Sequence, residues 1–314
     1  MGMTYQNFQI INNIKILLLR KKMLSFREFL NEASVDKVQP KNRSELIDII
    51  EDTIAKEGNN CDLNFIDTSV IDDMSELFSN FPEFNGNISG WNVSNVKKMT
   101  RMFKGSKFNG NISEWNTSKV ENMKAMFMNS KFNGDISKWN TSKVKDMSYM
   151  FCFSPFNGYI SKWNVSNVKN MDGMFNNSSF NRDISKWNVS HVESMNGMFD
   201  TADFNQNISN WDVSNVLSMN DMFSNSKFNK DISRWNVSNV VYMIGMFMGS
   251  DFNQNISNWD VSKVVYMRSM FHGSHFDQNI SDWNVSKVKE ADRIFDRSPL
   301  KNKPEFQPEF NCLI

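Results

Sequence analysis

The chain has no surplus of charge. Its 35 basic side chains match 35 acidic ones over 314 residues. Nucleic-acid-binding surfaces ordinarily carry a basic excess or stripe, so that class of partner is excluded at this level. Cysteine is scarce: Cys61, Cys152 and Cys312 are widely spaced, form no CxxC pair and make no disulfide framework. The apolar run Ile14 to Leu19 is interrupted by Lys15 and is too short to cross a membrane. A basic cluster, Arg20-Lys21-Lys22, follows that run rather than preceding it, which is the wrong order for a secretory signal. Only three histidines occur, and His272 with His275 and Asp277 fall short of the ligands that zinc needs. There is no nucleophile motif, phosphate loop or recurrent acid/base pair. No catalytic, metal or cofactor residue is therefore expected, and the chain reads as a non-enzyme.

What the sequence does have is one unit written nine times, F-N-x-x-I-S-x-W-N-V-S-x-V-x-x-M-x-x-M-F. All nine tryptophans belong to it, from Trp91 to Trp283, at intervals of 24 residues. A short fixed period of this kind marks a stack of units, none of which can bury its apolar face alone. In the unit from Phe108 to Phe127, the spacing of Val120, Met123, Met126 and Phe127 predicts a short helix. Ser118 stands where its N-cap is expected. The alternation in Ile112–Thr117 predicts a short strand, so that successive units build a parallel sheet. Eight columns are expected to face inward: Phe, Ile, Trp, Val or Thr, Val, Met, Met and Phe. The Trp column is read as core rather than as a row of ligand platforms. The Asn columns are read as turn and stacking groups. A calcium reading of the column from Asn87 to Asn279 is weakened by few carboxylates and by Tyr159, which interrupts it.

The organisation read from these patterns has four parts. Residues 1–43 are an N-terminal extension, of which 1–22 are expected to lie upstream of a start at Met23. A capping helix follows over 44–60, opened by Asn42 with Glu45 and stopped by Gly58. The repeat array occupies 61–300, with a degenerate first unit offset by 25. Residues 301–314 form a tail expected to cover the open end.

The unit FNGNISGWNVSNVKKMTRMF resembles the BspA-like bacterial surface-protein repeat, also known from mycoplasma lipoproteins and grouped with leucine-rich repeats. The resemblance covers about residues 61–300. It implies an α/β solenoid, a leucine-rich-repeat-like right-handed superhelix. It also implies adhesion, surface display or binding of a protein or glycan partner. Members on cell surfaces carry signals, lipid anchors or wall-sorting tails. None is read in this chain, so its location is left open between the cell surface, the cytoplasm and a virion. The opening SFREFLNEA looks like the starts of tailed-phage proteins, and a phage-encoded structural or accessory protein is the alternative.

A partner site is expected where the outward columns stop repeating, since packing fixes the inward ones. The polar residues of the first units give way in units six to eight to Leu217, then Val241, Tyr242 and Ile244, then Val265 and Tyr266. In-register stacking sets Tyr242 beside Tyr266 and Val241 beside Val265, and predicts an exposed apolar-aromatic patch. Tyr149, Cys152 and Phe153 are a smaller irregularity in unit three.

Overall fold

The computed structural model describes residues 37–311. The expectations for the Ile14–Leu19 run, the Met23 start, the SFREFL opening and the last residues, Cys312 to Ile314, lie outside them.

One α-helix is present among the described residues, α1 (Arg43–Glu57). Asn42 caps it, its side chain accepting the Glu45 amide, while Glu45 Oε2 accepts the amide of Lys41 at 2.7 Å. Gly58 ends it at φ 84° and donates its amide to Ile54 O. Leu46 and Ile50 are fully buried against the first coil. The N-terminal extension before α1 is tied down where it is described. Val38 bridges Ile66 in parallel, its amide donating to Phe65 O at 3.0 Å.

The repeat itself differs from expectation in both limbs. The Val120–Phe127 segment is not a helix. Met123, Ala125, Phe127 and Asn129 donate their amides to Asp146, Ser148, Met150 and Cys152 of the next coil, at 2.8–3.0 Å. Those donors are therefore committed between coils and not to a carbonyl four residues back. Inside the coil, i→i+3 bonds close turns from Met126 to Met123, Met128 to Ala125 and Ser130 to Phe127. Ala125 and Asn129 stand in the left-handed region, both at φ 53°, and equivalent positions in other coils do the same. A right-handed helix cannot pass through such residues. The apolar spacing of three belongs to a chain of turns.

The parallel pairing predicted for the Ile112–Thr117 limb sits on this opposite limb instead. Single bridges join Lys98, Asn122, Asp146, Asn170, Ser194, Ser218, Tyr242, Tyr266 and Glu290 in succession. The first coil joins with the expected offset of 25, Asp73 to Lys98. On the Ile112–Thr117 limb, turns bring Trp115 N to Ile112 O and Val120 N to Thr117 O. Ser118 caps nothing: its amide donates to Asn116 Oδ1, so the Asx side chain makes the turn.

Coils are tied on this limb by side chains. Each tryptophan donates its indole N–H to a carbonyl one coil back, Trp91 to Leu63 O and the others to an isoleucine, as Trp139 does to Ile112 O at 3.0 Å. Asn85, Asn109, Asn133 and their successors each accept the amide of the equivalent residue one coil on, at 2.9–3.1 Å. The column read for calcium spends its oxygens locally, as Asp135 Oδ1 does on Ser137 N at 2.9 Å.

The inward columns fill the interior. Phe108, Val120, Met123, Met126 and Phe127 are wholly buried, and the tryptophans are 3–5% exposed. Rings stack within and between coils: Phe127 lies 4.2 Å from Phe132 and 5.8 Å from Phe151, and Trp139 lies 6.5 Å from Trp163. A further buried column was not anticipated. Ser250 accepts the Phe252 amide and donates to Phe247 O, and other coils repeat this geometry. At the far end, 3-10 turns at Pro299–Asn302 and Pro304–Phe306 bury Leu300 and lay Phe306 and Phe310 over the last coil.

Candidate functional site

The bridged limb turns three outward rows toward solvent, and their register follows from the ladder. Glu121 N donates to Lys97 O, Lys145 N to Glu121 O, and so on to Lys289 N on Val265 O. Side chains of this row therefore stand side by side along the stack. In the early coils the row is charged and self-neutralising: Lys145 meets Glu121 at 2.8 Å and Lys169 meets Glu193 at 2.8 Å. From Leu217 through Val241 to Val265 it is apolar. Lys289 then restores the charge.

The neighbouring row is the bridge column. After Lys98 its early members are Asn, Asp and Ser: the Asn and Asp side chains accept local amides, as Asn122 Oδ1 does for Lys124 N, and Ser194 and Ser218 donate to Asp172 and Asn196 one coil back. At coils seven and eight it holds Tyr242 and Tyr266. Their rings stack at 5.1 Å with planes 1° apart. The third row is a polar ladder. Asp172 Oδ1 accepts the Asn196 amide, Asn196 Oδ1 the Asn220 amide, and Asn220 Oδ1 the Ile244 amide, at 2.8–2.9 Å. It stops at Ile244, which has no acceptor to pass on.

All six residues expected at the patch thus lie on one limb of adjacent coils. Leu217 is 48% and Tyr242 41% exposed, while Val241, Ile244, Val265 and Tyr266 are partly exposed. The two tyrosine rings cover one another on one face each.

Unit three carries a second exposed aromatic group. Tyr149 and Phe153 are 40% and 53% exposed, and both have positive φ, 57° and 53°. Cys152 between them is buried, its thiol pushed up to about 11 first by burial and then by the Asp200 charge. It is no ready thiolate nucleophile. Tyr159 was read only as a break in an Asx column, but it is 68% exposed with the Arg182 guanidinium 4.8 Å from its ring centre. Its partner sits one coil on, which the repeat register could have revealed.

His275 Nδ1 faces Asp251 Oδ1 at 3.2 Å, one coil back, rather than joining His272. Among the described residues no group of three or more His, Cys, Asp or Glu side chains is placed to hold a metal ion. No helix among them is long and apolar enough to cross a membrane.

The family model described as Mycoplasma protein of unknown function, DUF285, matches residues 50–155, 128–227 and 203–306. The three tandem matches overlap and run from within α1 to the last turns. No curated protein and no solved structure matches the chain.

Proposed function

The chain belongs to the DUF285 family of Mycoplasma proteins of unknown function, and on that premise we propose that it is a non-enzymatic binding protein. In this reading the coils form a right-handed solenoid of the BspA-like, leucine-rich-repeat-like kind. The stack works as a scaffold for a surface that engages a protein or glycan partner, as in adhesion or surface display.

The observation that carries the reading is the break in the outward rows. Coils that pair their charges with one another give way to Leu217, Val241, Val265, Tyr242 and Tyr266, with two stacked rings, one exposed and one partly exposed. The inward columns do not change there, so packing does not call for the substitution. Contiguous apolar surface on a polar face is a property of partner sites.

The double change Tyr242→Ser, Tyr266→Ser is expected to abolish affinity capture of a partner from cell extract by the full chain, while moving the Tm by no more than about 2 °C. Unchanged capture with an unchanged Tm would refute the site.

A further inference from the structure

We propose that the Leu217–Tyr266 surface docks an acidic amphipathic α-helix supplied by another protein, an assignment that rests on the binding reading above and gives it a partner class. The pitch of the patch matches that of a helix. Tyr242 and Tyr266 are 5.1 Å apart. The row Leu217, Val241, Val265 spans two coil steps, about 10 Å at the usual spacing of paired chains. A helix laid along the stack presents side chains i, i+4 and i+7 over about 10.5 Å, at nearly the same step. An extended peptide repeats its same-face side chains at about 6.7 Å and loses register by the third coil.

Beside and beyond Val265 the surface turns basic: Lys263 in the same coil and Lys287 and Lys289 in the next are all exposed. Lys289 is the direct neighbour of Val265, its amide donating to Val265 O at 2.9 Å. Among the described residues neither Lys287 nor Lys289 has a salt bridge, whereas Lys145 and Lys169 on the same row are each paired with a glutamate. Arg268 nearby is already held by Asp292 at 3.2 Å, Glu290 stands next to Lys289 in the chain, and Asp260 lies within reach of the Lys263 charge, so these three acids stand against Lys263, Arg268, Lys287 and Lys289. The net charge at this end of the apolar row is positive, and it complements carboxylates on the flank of a helix.

A sugar stacks on an open aromatic face, and the two tyrosines turn a face each toward one another. Half of the paired ring surface is thereby spent, and the pair stands beside aliphatic side chains, which suits the leucine face of a helix.

The test uses the full chain and a fluorescein-labelled helical peptide of about fifteen residues, with Leu at i, i+4 and i+7 and Glu on both flanks. Comparison peptides replace every Glu by Lys or scramble the order. The acidic peptide is expected to bind at least roughly tenfold tighter than either, and to weaken as salt rises from about 50 to about 300 mM. The changes Tyr242→Ser/Tyr266→Ser and Lys287→Glu/Lys289→Glu should each cost roughly tenfold or more. If the tyrosine variant unfolds, the exposed lysine pair still decides the matter. Equal binding of the lysine or scrambled peptide, or indifference to the lysine changes, overturns the proposal. So does a Tyr242-dependent dimer in sedimentation, which would assign the surface to a second copy. Failure of every peptide while tyrosine-dependent capture from extract persists overturns the acidic helix alone. Failure of both overturns the binding reading as well.

Discussion

At Asp221 a half-buried carboxylate stands in the left-handed region, at φ 52°. Burial first, then the Asp200 charge, hold its pKa above the ordinary value of 3.8. The folded chain therefore binds this proton more tightly than the unfolded one. The contribution is present in acid, below the unfolded pKa, and is lost as pH rises through the folded pKa. Asp221→Asn removes the charge and keeps a side chain that tolerates left-handed backbone. Its Tm should exceed that of the parent at pH 7 by about 2 °C, and the gap should close as pH falls toward 4. A gap that widens in acid would refute this assignment. The turn aspartates behave oppositely. Asp135, Asp183 and Asp231 are held below their usual range chiefly by the amides of Ser137, Ser185 and Ser233. Their stabilisation is present above the unfolded pKa and fades as pH falls through the folded one, so parent and variant share it and the comparison isolates Asp221.

Phe153 poses the converse case. A bulky side chain at φ 53° costs about 1 kcal/mol of backbone strain or more, and more than half of its surface is in water. Gly105, Gly249 and Gly273 occupy the same column at φ 63–70°. Phe153→Gly is expected to raise the stability by about 0.5–1 kcal/mol, measured as an increased denaturant midpoint, although it deletes an apolar ring. A lowered midpoint would mean that the ring supports the fold.

At the level of the coil, the inward columns were legible in the sequence because burial demands the same residue at the same register every time. The conformation of the two limbs was not. A spacing of three in Val120, Met123 and Met126 suits a helical face and equally a succession of i→i+3 turns. Composition does not separate the two, because Met and Ala favour helices. The distinguishing sign lay in the column of Ala125, which holds Gly173, Gly197 and Gly245, each at φ 56–58°. Three glycines in the middle of a supposed helix signal left-handed backbone. The patch was legible for a different reason. In-register stacking makes residues 24 apart neighbours whatever the backbone does between them, so Tyr242 meets Tyr266 under either description of the limb.

The tryptophan does more than fill its coil. Trp163 Nε1 donates to Ile136 O at 3.0 Å, and that carbonyl also accepts the Trp139 amide at 3.2 Å. Trp163→Phe leaves the carbonyl one partner and opens a void the size of the lost ring atoms. The expected cost is about 2–3 kcal/mol, seen as a fall in denaturant midpoint with an unchanged slope. A cost below about 0.5 kcal/mol would mean that the indole bond and the ring volume are both dispensable.

Over the whole molecule, the ladder, the indole bonds and the asparagine row all connect residues one coil apart. Energetically each coil answers to its neighbours, with α1 closing one end and Leu300, Phe306 and Phe310 the other. If the chain is a solenoid, its length is adjustable in whole coils and in no other amount. Deleting residues 146–169 joins Lys145 to Asn170 and restores every column, because Asn170 takes the place of Asp146 on the ladder. This variant also removes Tyr149, Cys152 and Phe153 and leaves Tyr242 and Tyr266 in place. It should fold, unfold cooperatively with a denaturant slope lower by about a tenth, and retain binding at the tyrosine surface. Deleting only 146–157 removes half a coil. It sets Gly158 where the ladder needs Asp146, turns apolar columns outward in the coils that follow, and should yield a chain without a cooperative transition. Cooperative folding of the half-coil deletion, or collapse of the whole-coil one, would rule out the stacked architecture on which the proposed binding surface depends.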